Sequence, residues 1–214
     1  TTMALGLFRV AFLVMFERTL TQFMKSLFQV DILRDARLDT AIKVTAVALV
    51  FAGFLPPALA GGLNILLALL LVVRFTGWQP QLAFKRVDIG VMYLAYLAIV
   101  AQLLLDTLAL AGHAGWVGTV PLHVFTFGVM GLVTPAMLVR ISKGHTGRKV
   151  IFERADKAVL YVMMLGFALR IVGPQLFPAA YLHWIYGAAA CWFVAFAMLG
   201  WRYIPWLMQP RVDG

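Results

Sequence analysis

The sequence predicts an all-α fold: a polytopic membrane helix bundle of about six to seven transmembrane helices with its C-terminus in the cytoplasm. Three observations predict it. Of 214 residues, 63% are hydrophobic and 13% are charged, with a mean hydropathy of +0.90, a balance foreign to soluble domains. The apolar residues fall into seven runs, near 3–16, 41–56, 58–76, 88–112, 118–140, 157–174 and 180–203, several of them close to the roughly 20 residues that cross a bilayer as a helix. Lys and Arg gather in alternate connections between these runs. Backbone polar groups in lipid need internal partners, so the runs read as helices. No alternating strand pattern supports an outer-membrane barrel. Residues 1–214 read as a single membrane domain.

The first run is short, carries Arg9, and reads as the end of a helix that begins outside this chain. Residues 17–40 mix Phe23, Leu27, Val30 and Leu33 with charges and are expected to lie as an amphipathic stretch at the membrane interface. Pro56-Pro57 and Gly61-Gly62 break the run 41–76 into two spans, because proline removes a helical hydrogen bond. Pro121 and Pro174 stand near segment ends, where proline is tolerated. Cys191, the one cysteine, lies in an apolar run. It reads as a small packed residue rather than a nucleophile, and it leaves no disulfide within the chain.

The connections 17–43, 74–86 and 140–157 are basic, whereas the turns near 56–61, 113–118 and 175–180 hold no Lys or Arg. The basic side is cytoplasmic, which predicts a multi-pass membrane protein with its N-terminus outside. The formal charge of +9 therefore reflects loops. Nucleic acid is excluded as a partner because the basic groups alternate with spans instead of forming one patch.

Ionisable groups inside a membrane face the bundle interior or a cavity. Gln102, Asp106 and His113 fall on one face of the fourth run at steps of four and seven. With His123, Arg170 and His183 they are expected in one layer at the outer side, while Arg140 and His145 lie at the inner side. Thr126, Phe127, Met130, Thr134 and Met137 follow His123 at helical steps and read as packing. Small residues near these groups, Gly166, Gly173, Gly187 and Ala190, either leave room for a flat macrocycle or let helices touch. Arg170 with Asp106 reads as an ion pair of structural value. The histidines make a metal or haem site plausible, although H-x-x-x-H, C-x-x-C and C-x-x-C-H spacings are all missing.

The inner connection opens with "ISKGHTGRKV", residues 141–150. Gly144 suits the left-handed end of a helix and Gly147 a second turn, with Arg140 and Lys143 at the negative end of the helix dipole. The spacing is not that of a phosphate-binding loop. Gly144, Thr146, Gly147 and Arg148 read as a structured turn, with His145 as a candidate metal ligand.

"PLHVFTFGVMGLVTPAMLVRISKGHTGRKV" resembles the signature of the NnrS family, bacterial inner-membrane proteins linked to nitric oxide: a Leu-His helix with a central Gly, an Arg near its end, and Gly-His-Thr-Gly-Arg after it. "RVDIGVMYLAYL" is similar to the helix before that signature, and "RYIPWLMQPRVDG" to the family's C-terminal ending. The resemblance covers residues 15–214 and is to the C-terminal half of the family's long members. Their N-terminal Trp-His-x-His-Glu motif has no counterpart here, and "MFERTLTQFMKS" lacks the proline of the family's related segment.

The resemblance implies haem b, copper or both as cofactors and nitric oxide as the small ligand, in a protein of the nitrosative stress response that binds or turns over nitric oxide. It favours His123 and His145 as metal ligands, with His183 or His113 partnering His123, and Asp106 and Arg170 either tuning charge or pairing with haem propionates at the outer edge. His123 and His145 lie about 33 Å apart on one helix at about 1.5 Å per residue, so they serve different sites. The competing expectation is a non-catalytic membrane subunit of a larger respiratory or metalloenzyme complex. A second membrane chain or an N-terminal half then supplies the missing helices. A transporter, with Asp106 and Arg170 along a path, lacks the broken-helix repeat that such folds show.

Overall fold

A computed structural model describes residues 2–32 and 34–213. Among these residues the chain forms helices, turns and loops and no strand. Its helices are α1 (Thr2–Phe28), α2 (Ala36–Ala48), α3 (Pro57–Gly77), α4 (Val87–Leu110), α5 (Val120–His145), α6 (Arg154–Ile171) and α7 (Tyr181–Leu207). They group into two compact units, one ending at Gly115 and one starting at Trp116. Among the described residues five helical stretches are long and apolar enough to cross a membrane: Pro57–Gly77, Val87–Leu110, Val120–His145, Arg154–Leu176 and Pro178–Leu207. The expected count of six to seven included α1, which carries Arg9, Glu17 and Arg18, and α2, which has 13 residues.

Two boundaries differ from those expected. The stretch 17–40 is not one element: residues to Phe28 extend α1, and α2 opens at Ala36 behind an Asp35 side chain that accepts from the amides of Arg37 and Leu38. The interfacial reading of 17–40 therefore does not describe a separate amphipathic helix, and Leu33 lies outside the described residues. Gly61 and Gly62 do not break the chain either. α2 runs on as a 3-10 segment, Leu49–Phe54, and Pro57 starts α3 with both glycines inside it. One proline at the first helical position suffices, because its missing N–H had no helical partner there.

The first unit packs Phe16, Leu20 and Met24 of α1 with Ile42, Leu67, Leu71 and Ile99, all buried. Tyr93 and Tyr96 of α4 close the end of α3: their hydroxyls donate to the carbonyls of Trp78 at 2.7 Å and Leu71 at 3.0 Å. An ion network joins α1, α2 and α3. Arg74 donates from Nε to Asp39 at 3.0 Å and lies 3.3 Å from Glu17, while Lys43 sits 2.9 Å from Glu17 and Arg34 also reaches it. Glu17, Asp39 and Arg74 are all buried, and burial of such charges is tolerated when each has partners. Glu17 of α1 thus has its charge answered inside the unit.

The second unit is α5 packed on the α6–α7 pair. Cβ atoms built at Gly166 would meet Cys191 and Phe127, and one at Gly173 would meet the Trp184 ring. These small residues let helices touch, and Cys191 is half-buried against that contact. Gly118, at φ +76°, brings the start of α5 under the Tyr181 hydroxyl.

Candidate functional site

Pro121 lies in the first turn of α5, and His123 follows it on that turn. The His123 Nδ1 lies 3.2 Å from the Thr119 carbonyl oxygen and 3.3 Å from the Thr119 hydroxyl. Its Nε2 lies 2.7 Å from an Arg170 guanidinium nitrogen. A guanidinium can only donate, so Nε2 is the acceptor, and Nδ1 carries the proton that goes to Thr119. This tautomer, with Nδ1–H on a backbone carbonyl and the Nε2 lone pair available, is the one that metal-binding histidines commonly hold. Arg170 itself rests 5.8 Å from the Tyr181 ring centroid.

After His123 the helix widens: Thr126–Gly131 is a π-helix. Pro135 within α5 has no N–H for the Gly131 carbonyl and crowds it, which favours a wider turn just before it. Such segments recur at functional sites because they rotate the residues that follow. Thr126 and Phe127 join His123 and Arg170 on an apolar cleft of about 570 Å³, walled on the α7 side by Ile185, Trp192 and Phe196. Met130, Thr134 and Met137 lie further along α5 and are not among the cleft's lining residues. The Phe127 and Phe167 rings stack at 6.2 Å near it.

The other expected site residues fall elsewhere. His183, in the first turn of α7, is exposed, as are His113, beyond α4, and His145, at the end of α5. Asp106 belongs to the first unit, where Arg9 lies 3.5 Å from it and Gln102 donates to it. The partner of Asp106 is therefore Arg9, and the partner of Arg170 is His123. Gln102 also accepts from Arg9 at 2.8 Å. Arg9 was legible as a charge in an apolar run that needed an answer. Among the described residues no three His, Cys, Asp or Glu side chains converge as a metal cage would require.

The turn after α5 is built from the residues singled out in the sequence, with one reassignment. Gly144 is still helical. The left-handed residue is Gly147, at φ +72°. The Gly147 amide donates to the Gly144 carbonyl at 3.2 Å and the Arg148 amide to the Lys143 carbonyl at 2.9 Å, which makes a Schellman cap. Thr146 is buried, and its hydroxyl donates to Ser142. The C-terminal tail docks here: the Val212 amide donates to the Thr146 carbonyl at 3.2 Å, and the Asp213 carboxylate fills the space where a Cβ of Gly147 would be. Arg148 lies over the Trp206 ring at 4.3 Å.

Beside this turn is a cluster that sequence reasoning missed. Lys143, 2% exposed, lies 2.9 Å from the fully buried Asp156. Asp156 also accepts from the Tyr203 hydroxyl at 2.6 Å and from the Glu153 amide at 2.9 Å, and Arg202 lies 3.2 Å away. The Glu153 carboxylate, hydrogen-bonded by Arg202, is held below the ordinary carboxylate range. The signal was the capping pair Glu153–Asp156 ahead of an apolar run.

The model of a family described as "NnrS protein" matches residues 1–211. No curated protein and no solved structure matches the chain.

Proposed function

Because the chain belongs to the NnrS family, we propose that it is an inner-membrane protein of the nitric oxide response that holds haem b at His123. The observation that carries this reading is the His123 side chain itself: Nδ1–H fixed on Thr119, Nε2 turned toward Arg170 at 2.7 Å, beside a π-helical turn and an apolar cleft of about 570 Å³. A neutral imidazole with a carbonyl-bound Nδ1 would suit a haem-iron ligand. Trp192, Phe196 and Phe127 offer flat apolar walls, and Arg170 offers a cation for a propionate once it leaves Nε2. Haem iron would supply a coordination position for nitric oxide. Among the described residues no three His, Cys, Asp or Glu side chains converge on a copper centre, so copper would need donors in addition to His145 or His123.

Oxidised and reduced optical spectra of the purified protein, with nitric oxide added to the reduced sample, test this reading. A haem band that shifts with nitric oxide, together with stoichiometric loss of haem in His123→Ala, is the expected result. Unchanged haem content in His123→Ala would sink the ligand assignment. A colourless wild-type chain that gains haem only beside a second membrane protein would favour the subunit reading instead.

A further inference from the structure

The first unit contains a cavity with a polar lining, and it has no role in the haem reading. It encloses about 370 Å³ between α1, the 3-10 segment, α3 and α4. Its polar lining is Arg9, Asn64, Asp106 and, at the start of α1, Thr2; Leu5, Leu49 and Ala60 are among its apolar walls. Arg9 is 5% exposed, and its Nε–H has no hydrogen-bond partner among the described residues. Asn64 is 4% exposed, so its amide has little but the cavity to face. Asp106 is more open, with a third of its side chain accessible.

An unmet guanidinium N–H at this depth is an expensive feature. It becomes cheap when a ligand oxygen accepts it. The charge of Arg9 is already answered by Asp106 at 3.5 Å, so the cavity is neutral overall. An anion or a cation would enter it uncompensated, whereas a neutral acceptor would not. The ligand that fits is neutral and mostly apolar, with a carbonyl-type oxygen toward Arg9 and a second polar edge toward Asn64 or Asp106. The volume lies at the small end of ligand pockets, about 300–1,000 Å³, the size of a single substituted ring. Asn64 and Asp106 lie in stretches that qualify as membrane spans, so such a ligand arrives from the bilayer.

We propose that this cavity binds the headgroup of a lipid-soluble quinone. One ring carbonyl accepts from Arg9 Nε–H and the other meets the Asn64 amide. In the reduced form a ring hydroxyl can donate to Asp106. The proposal is independent of whether haem sits at His123.

The test is photolabelling of the protein in phosphatidylcholine nanodiscs with an azido-quinone, with and without excess decylubiquinone, and mapping of the labelled peptides. Label on residues 49–64 and 102–110, suppressed about tenfold or more by the competitor, is expected in the wild type. Asn64→Leu, nearly isosteric, and Arg9→Lys, which keeps the charge opposite Asp106 but removes Nε–H, should each lower the competed label about tenfold. Helical circular dichroism and a single elution peak certify both variants as folded. Label that the competitor does not suppress marks an ordinary lipid-facing surface and overturns the proposal. Equal competed label in wild type and a folded Asn64→Leu overturns it as well.

Discussion

The Arg170 guanidinium lies 2.7 Å from Nε2 of His123 and so occupies the lone pair that any ligand to that ring must use. The pair has two consequences. It holds the ring in one tautomer, and it shields the nucleophilic nitrogen in the absence of a ligand.

Arg170→Leu should therefore expose His123. A hydrogen bond with one charged partner contributes about 1.5–3 kcal/mol, equivalent to about tenfold or more in the availability of the free lone pair. Carbethoxylation of His123 by diethyl pyrocarbonate, followed by mass spectrometry of the α5 peptide, should quicken by about that factor. An unchanged rate would mean that Arg170 does not sit on Nε2 in the membrane.

Gly147 and Gly144 should respond in opposite ways to alanine. Gly147 has φ +72° and faces Asp213 where a Cβ would go, so Gly147→Ala should destabilise the second unit by about 1–2 kcal/mol from the left-handed backbone alone, and more from the clash. Gly144 is helical, with no atom within 4 Å of its Cβ position, so Gly144→Ala should stabilise by about 0.5–1 kcal/mol. Thermal melting of the two variants separates these outcomes. Adding Asp213→Ala to Gly147→Ala should recover only the clash.

Lys143→Met leaves Asp156 buried without its amine. Breaking a buried pair on one side costs about 3–5 kcal/mol. Tyr203→Phe, which removes the 2.6 Å hydroxyl bond to the same carboxylate, should cost about 1.5–3 kcal/mol. Unfolding midpoints in mild detergent give the order, and a Tyr203→Phe loss exceeding that of Lys143→Met would contradict the network.

Glu153 sets a modest pH dependence. Arg202 holds its folded-state value below the ordinary one, so in the unfolded chain the carboxylate takes up a proton at higher pH. Its contribution is present above the ordinary value of about 4.3 and is lost as pH falls through the lower folded value. Glu153→Gln should therefore flatten the fall of the melting temperature below about pH 4.3. Its effect stays small, because the side chain is half exposed to solvent.

Much of the architecture was legible because hydropathy and proline placement act locally. The segments 58–76, 88–112 and 118–140 became α3, α4 and α5, since an apolar run of that length has one way to satisfy its backbone in lipid. His123 near one end of α5 and His145 at the other follow from the same one-dimensional reading, and so does membership of the family that matches residues 1–211. Which charges meet was not local. Arg9 answers Asp106 and Arg170 answers His123, because those pairs depend on how helices are rotated and packed against one another. The π-helix at Thr126–Gly131 was likewise not legible, because the departure from a 3.6-residue period shows only in the folded helix. Gly147, not Gly144, became the left-handed residue because tertiary contacts with Val212 and Asp213 settle where α5 stops. Local composition determined where helices run, and only the folded chain decided which side chains face each other, since that depends on helix phase and on partners distant in sequence.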